Sequence, residues 1–245
     1  PFKAPAVYAL LPYTELAEDG LHYPRGGIYE LVEALVRLAR DLGVTINLGS
    51  PVEEIVADKD RARGVRVNGE EIRADAVLAN ADLPYVYREL LPSHAGIGDF
   101  RFKLRKRERL LYTASAFMIY LGLDRRLDHQ LHHNVYLSER YRENFEQIFD
   151  KRRLPDDPSF YTNVPSRTDE SAAPPGMEAL YVLVPTPHLS DNVNWEREGP
   201  AFKERVYELL ERKANIPNIR QHVVYEKVKT PLNWLLDYNL EEGAA

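Results

Sequence analysis

Between Tyr23 and Asp82 the spacing of apolar positions switches from a helical to a strand period, and each run marks a predicted element. Pro24 fixes its own φ, and Gly26-Gly27 permits a tight turn with close backbone approach. Beyond it, Ile28, Leu31, Leu35, Leu38 and Leu42 recur at three- and four-residue spacing, while Glu30, Glu33, Arg37 and Arg40 fill the other face. That spacing predicts a helix with one buried stripe, ended by Gly43. Val44, Ile46 and Leu48 then alternate with Thr45 and Asn47, as a half-buried strand would. Gly49-Ser50-Pro51 breaks it, and Val52, Ile55 and Val56 open a further strand. Asn68-Gly69 tolerates positive φ and predicts a two-residue hairpin between Gly64–Val67 and Glu70–Arg73. Ala76-Val77-Leu78-Ala79 is apolar throughout, the pattern of a strand covered on both faces, and it ends in Asn80-Ala81-Asp82.

Leu91-Pro92-Ser93-His94-Ala95-Gly96-Ile97-Gly98 carries the proline and glycines of a domain crossing. Beyond it, strands are predicted at 115–123, 134–137, 160–165, 179–185 and 221–228, rich in Tyr, Val and Phe. They predict a mostly antiparallel sheet. One helical face (Tyr141, Phe145, Ile148, Phe149) follows a Ser138 cap, and another (Phe202, Val206, Leu209, Leu210) follows Gly199-Pro200. No internal repeat occurs.

Several segments carry this pattern in a recognisable order: "APAVYALLPY", "YPRGGIYELVEAL", "GVTINLGSPVEEI", "ADAVLANAD", "LHHNVYLSERYRENFEQIF", "LYVLVPTPHL" and "NWEREGPAFKERV". Through them the chain resembles, essentially end to end, the middle of a bacterial carotenoid (phytoene-type) desaturase of the amine-oxidase-like FAD superfamily. The Gly-Gly helix, the Val52 strand and the Asn80-Ala81-Asp82 end are shared with many flavin oxidases, whereas the later segments are closer to the desaturases.

The resemblance implies an α/β fold with α+β character. Part of an FAD/NAD(P)-binding two-dinucleotide-binding domain would be joined to a mostly antiparallel sheet-and-helix substrate domain. Residues 1–23 would link to the substrate region, 24–95 form the second half of the FAD-binding domain, 96–235 the substrate domain, and 236–245 a return towards the FAD domain. The family's opening G-x-G-x-x-G turn and closing glycine-rich motif do not occur between Pro1 and Ala245. The chain is therefore expected to be an internal portion, binding FAD weakly by itself.

By resemblance the Val52 backbone meets the adenine edge of FAD, as a strand-end N–H and C=O pair can. Gly26, Gly27 and Asn80 lie near the cofactor by the same route, or serve only as turn residues. The implied reaction is hydride transfer from a saturated C–C pair of a polyene to flavin, with loss of a proton from the adjacent carbon. Acidic residues and Lys229 are candidate proton acceptors, but spacing singles out no catalytic residue. The same fold also serves flavin oxidases or saturases acting on retinoids or amines, and non-catalytic lipid-escort proteins. These remain alternatives.

Composition narrows the classes further. The 245 residues are 44% hydrophobic and 29% charged, an ordinary globular balance, and the absence of cysteine excludes disulfides and thiolate chemistry. A net charge of -6 gives no general affinity for nucleic acid. His129, His132 and His133 form either a metal site or a polar loop, and the resemblance implies no metal. Arg101, Lys103, Arg105, Lys106, Arg107 and Arg109, interleaved with Phe100, Phe102 and Leu104, form either a contact with anionic lipid or a solvated face. A cytoplasmic protein in peripheral contact with a membrane is the expectation, since no apolar run reaches the length of a span. Phe117, Tyr120, Phe160, Tyr181 and Leu183 either line a tunnel for a polyene or fill an ordinary core.

Overall fold

The computed structural model describes residues 7, 10–18, 20, 22–58, 61–92, 112–189 and 193–244. The cations from Arg101 to Arg109 and most of the predicted crossing, from Ser93 onward, lie outside the described residues. A short helix α1 (Leu10–Tyr13) precedes α2 (Tyr29–Asp41). Gly26 and Gly27 turn the chain into α2 with φ of 90° and 104°, and the Gly43 amide closes it on the Arg40 carbonyl at 2.9 Å.

The helix follows its periodicity, but its stripe is open. Leu31, Leu35 and Leu38 are 55%, 57% and 53% exposed, and no residue of α2 is buried. The predicted strands at 44–48 and 76–79 are likewise absent, and Leu78 is 96% exposed. These segments are not paired as strands, and the reason is physical. A ladder needs a neighbouring edge, and an apolar stripe needs a facing surface. Among the described residues none supplies either.

The first sheet stands on its own local signals. Strands β1 (Val52–Ala57), β2 (Ala62–Val67) and β3 (Glu70–Arg73) form an antiparallel meander in sequence order. Asn68 and Gly69 turn the β2-β3 hairpin with φ of 51° and 78°. Gly64 lets β3 approach closely, because a Cβ there would fall 2.0 Å from the Ile72 carbonyl oxygen. Helix α3 (Leu83–Tyr85), continued by a wider turn Val86–Leu90, closes the meander by packing Val86 and Leu90 on Ile55.

The second sheet holds the main core. Strands β4 (Ser115–Leu123), β5 (His133–Tyr136), β6 (Phe160–Asn163), β7 (Glu178–Thr186) and β8 (Val223–Lys229) are ordered β5-β6-β7-β4-β8, every pair antiparallel. Alternate residues of β4 and β7 are buried, so Phe117, Ile119, Leu121, Leu180, Val182 and Val184 share one face. After helix α4 (Tyr141–Phe145), helix α5 (Trp195–Arg212) covers that face with Phe202, Val206, Leu209 and Leu210. Each such side chain stabilises the fold by about 1.5–3 kcal/mol relative to exposure. Phe117 meets Phe202 edge-on, with ring centroids 5.2 Å apart.

Helix α5 begins at Trp195, not after Gly199-Pro200. The Asn194 side chain accepts the Arg197 amide at 3.0 Å, so Pro200 lies inside the helix. The Asn194 cap starts the helix ahead of the proline, which then lies in the second turn and leaves the Glu196 carbonyl without its i+4 amide. Ser138 also acts one step earlier than expected. Its hydroxyl oxygen accepts the Arg140 amide at 3.0 Å, in the turn before α4. Helix α6 (Pro231–Tyr238), opened by a Thr230/Asn233 capping box, ties back through a Trp234 indole bond to the Ala116 carbonyl at 2.7 Å.

Candidate functional site

Two concavities and one open sheet face carry the candidate chemistry. The first concavity, about 330 Å³, lies between the meander and α3. Val52, Ile55, Val65, Val77 and Ala79 give it apolar walls, and Asn80 and Asn239 give it polar groups. Val52 is the first residue of β1, opposite Val67, with a register shift directly after it. Val52 and Asn80 thus line one cleft although 28 positions separate them. Apolar walls with a few polar groups suit the faces and edge of a flat heteroaromatic ring.

Gly26 and Gly27 are not part of that cleft. Their turn meets the rim of the second sheet, where the Gly26 amide donates to the Asp169 carboxylate at 2.6 Å. Asp169 also accepts the Ser171 hydroxyl and amide, and those two bonds, with the Gly26 amide, hold its carboxyl below the usual carboxylate range. The Tyr23 ring stands edge-on to His132 at 4.8 Å, and burial followed by the Asp169 charge raises the Tyr23 phenol. Together Tyr23, Arg25, His132, His133, Thr168, Asp169 and Glu170 line a second concavity of about 710 Å³.

The three neighbouring imidazoles have separate partners. His129 Nε2 lies 3.2 Å from the Ala214 carbonyl, His132 Nδ1 lies 2.5 Å from the Thr168 hydroxyl, and His133 Nδ1 lies 2.5 Å from the Tyr161 hydroxyl. Burial, then the neighbouring His133, lowers the His132 pKa. Asp169, Thr168 and Tyr161 carried no local signal in the sequence. Only the fold brings them to the histidines.

Of the five candidate tunnel residues, Phe117 and Phe160 are fully buried in the core, whereas Tyr120, Tyr181 and Leu183 belong to the opposite, half-open face. Strand pairing sets that face in two rows. Val135, Tyr161, Leu183 and Met118 face one another across β5, β6, β7 and β4, and so do His133, Asn163, Tyr181 and Tyr120. The Tyr120-Tyr181 and Tyr161-Tyr181 centroids are 6.0 Å and 5.8 Å apart, an almost continuous aromatic surface. Lys229, at the edge of this face, is ion-paired with Asp237, which raises its pKa and keeps it a cation instead of a base.

The small meander with its apolar cleft is thus joined to an antiparallel sheet with one helix-covered and one open aromatic face. An oxidoreductase from Methanosarcina mazei has the same fold, with a TM-score of 0.56 at 20% identity over 84% of this chain and 42% of that one. Residues 3–235 match the flavin containing amine oxidoreductases, and the chain belongs to that family. It is 45% identical to a zeta-carotene-forming phytoene desaturase of Myxococcus xanthus, over all of this chain and 46% of that protein. Identity is 39% both to a phytoene desaturase of Neurospora crassa, over 42% of its length, and to a 4,4'-diapophytoene desaturase of Staphylococcus haemolyticus, over 49%. The chain spans about half the length of the relatives it matches. Family membership implies a flavin cofactor.

Proposed function

We propose that this chain is the central part of an FAD-dependent carotenoid desaturase, which introduces double bonds into a phytoene-type polyene during carotenoid biosynthesis. The observation that carries this reading is the similarity along the whole chain to desaturases named for phytoene, zeta-carotene and diapophytoene. The open face agrees with it, since rings and apolar side chains across four strands suit a long conjugated hydrocarbon.

Bound FAD would supply the acceptor for a hydride leaving the polyene. The residues of this chain bind and orient. The Val52 backbone and Asn80 would hold the adenine end in the 330 Å³ cleft, and Gly26 and Gly27 would let backbone approach the cofactor closely. Met118, Tyr120, Tyr181 and Leu183 would hold the polyene by dispersion and keep water from the reacting carbons.

The reading extends to location. Cations from Arg101 to Arg109 support peripheral attachment to an anionic leaflet on the cytoplasmic side, where a bilayer-dissolved substrate is reached. Among the described residues no helix is long and apolar enough to cross a membrane.

The test is made on the full-length protein. It should purify with a flavin spectrum and convert phytoene in liposomes to products absorbing at longer wavelength. A flavin-bound protein that leaves phytoene unchanged and oxidises an amine or retinoid would overturn the reading.

A further inference from the structure

Removing two hydrogens from a hydrocarbon leaves a proton in surroundings that cannot solvate it. One C–H bond breaks with its electron pair, leaving as hydride to the oxidised flavin. The neighbouring C–H loses only its proton, and that electron pair closes the C=C bond. The proton must then cross from an apolar face to water.

The geometry points to a proton path running from Tyr161 to His133 and into the 710 Å³ concavity at the sheet edge. It rests on the desaturase reading and adds to it the fate of the proton. The path starts in the half-open face, where Tyr161 is paired with Leu183 and its ring centroid lies 5.8 Å from that of Tyr181. A phenol there can accept one proton on its oxygen while passing its own on.

Asn163 Nδ2 donates to the Tyr161 oxygen at 3.1 Å, which leaves the Tyr161 O–H to point at His133 Nδ1, 2.5 Å away. Proton transfer along this line breaks the Tyr161 O–H bond, forms N–H on His133, and restores O–H on Tyr161 with the proton that leaves the polyene carbon. The imidazolium so formed is exposed in a concavity with two carboxylates, Asp169 and Glu170, against one guanidinium, Arg25. The His132 ring lies tilted beside it, centroids 4.3 Å apart, its pKa lowered by burial and by His133 and its Nε2 shielded from water without a partner among the described residues. Tyr23 closes the inner side. At the far end of the row, Lys229 and Tyr238 stand near Tyr120 and carry no link to His133.

The experiment uses full-length, flavin-loaded protein with phytoene in liposomes, following flavin reduction in a single turnover in light and in heavy water. In the wild type reduction should be slower in heavy water, because an O–H bond breaks along the path. Tyr161→Phe should slow reduction about a hundred- to ten-thousandfold, the scale of a lost proton-transfer group, and abolish that isotope effect. His133→Asn should do the same. In parallel, the His133 ring signals, read by NMR without substrate, should move in Tyr161→Phe at unchanged melting temperature, because the contact at Nδ1 is lost. An isotope effect retained in both variants, or unmoved His133 ring signals, overturns the path while leaving the desaturase reading intact. No flavin reduction by the wild type with any polyene removes that reading, and the path with it.

Discussion

The Asp82 carboxylate accepts the Glu241 backbone amide at 3.0 Å, although 159 positions separate the two residues. The Glu241 side chain turns back onto Arg88, so the segment after α6 is bound to the flank of the small meander. This junction and the Gly26-Asp169 bond fasten the glycine turn and meander to the large sheet at two separate points.

Asp82→Ala should therefore loosen the end of the chain. Removing that acceptor should cost about 1–3 kcal/mol of stability and speed amide exchange at Glu241, with little effect in the core of β4 and β7. Unchanged exchange at Glu241 would show that the bond contributes nothing.

Phe202→Ala should be far more damaging. Phe202 is 1% exposed and packs edge-on to both Phe117 and Trp195, so truncation leaves a cavity that its aromatic neighbours cannot fill. Denaturant unfolding should show a loss of about 3–5 kcal/mol.

Two glycines of the meander should respond differently to alanine. At Gly64 a Cβ would collide with the Ile72 carbonyl, so Gly64→Ala should separate β2 from β3 at a cost upwards of about 2 kcal/mol. At Gly69 there is open space, and only its positive φ opposes a side chain, at about 1–2 kcal/mol. Equal melting temperatures for the two variants would refute the distinction.

Asp157 provides an acid-sensitive contact. Burial raises its pKa, but hydrogen bonds from Lys213, Ser138 and the Glu139 amide outweigh it, so the net shift is below the ordinary value of 3.8. A depressed folded pKa means stability present above the unfolded value and lost as pH falls through the folded one. Asp157→Asn should therefore destabilise the protein more at pH 7 than near pH 2. Urea midpoints at both values check the sign.

The sequence revealed those elements whose partners are local or whose own pattern is complete. The nine-residue alternation of β4 needs no context to be read, and Asn68-Gly69 names its own turn. Segments 44–48 and 76–79 form no strands because apolar residues state a demand for neighbours without supplying them. At α5 the proline is a weaker start signal than the Asn194 cap six residues earlier. The same division holds for the site. Val52 and Asn80 were legible as the ends of strand-like runs, but the meeting of His133 with Tyr161, 28 residues away, exists only after β5 pairs with β6.

The alternation along β4 and β7 has a further consequence for how this surface can change. Tyr120 and Ile119, or Tyr181 and Val182, are adjacent letters that face opposite worlds. Inserting or deleting one residue in either strand would exchange the faces, driving phenols under α5 and leaving aliphatic side chains on the open surface. A single replacement on the open rows therefore alters that surface alone, whereas a one-residue slip of register within either strand dismantles core and surface together.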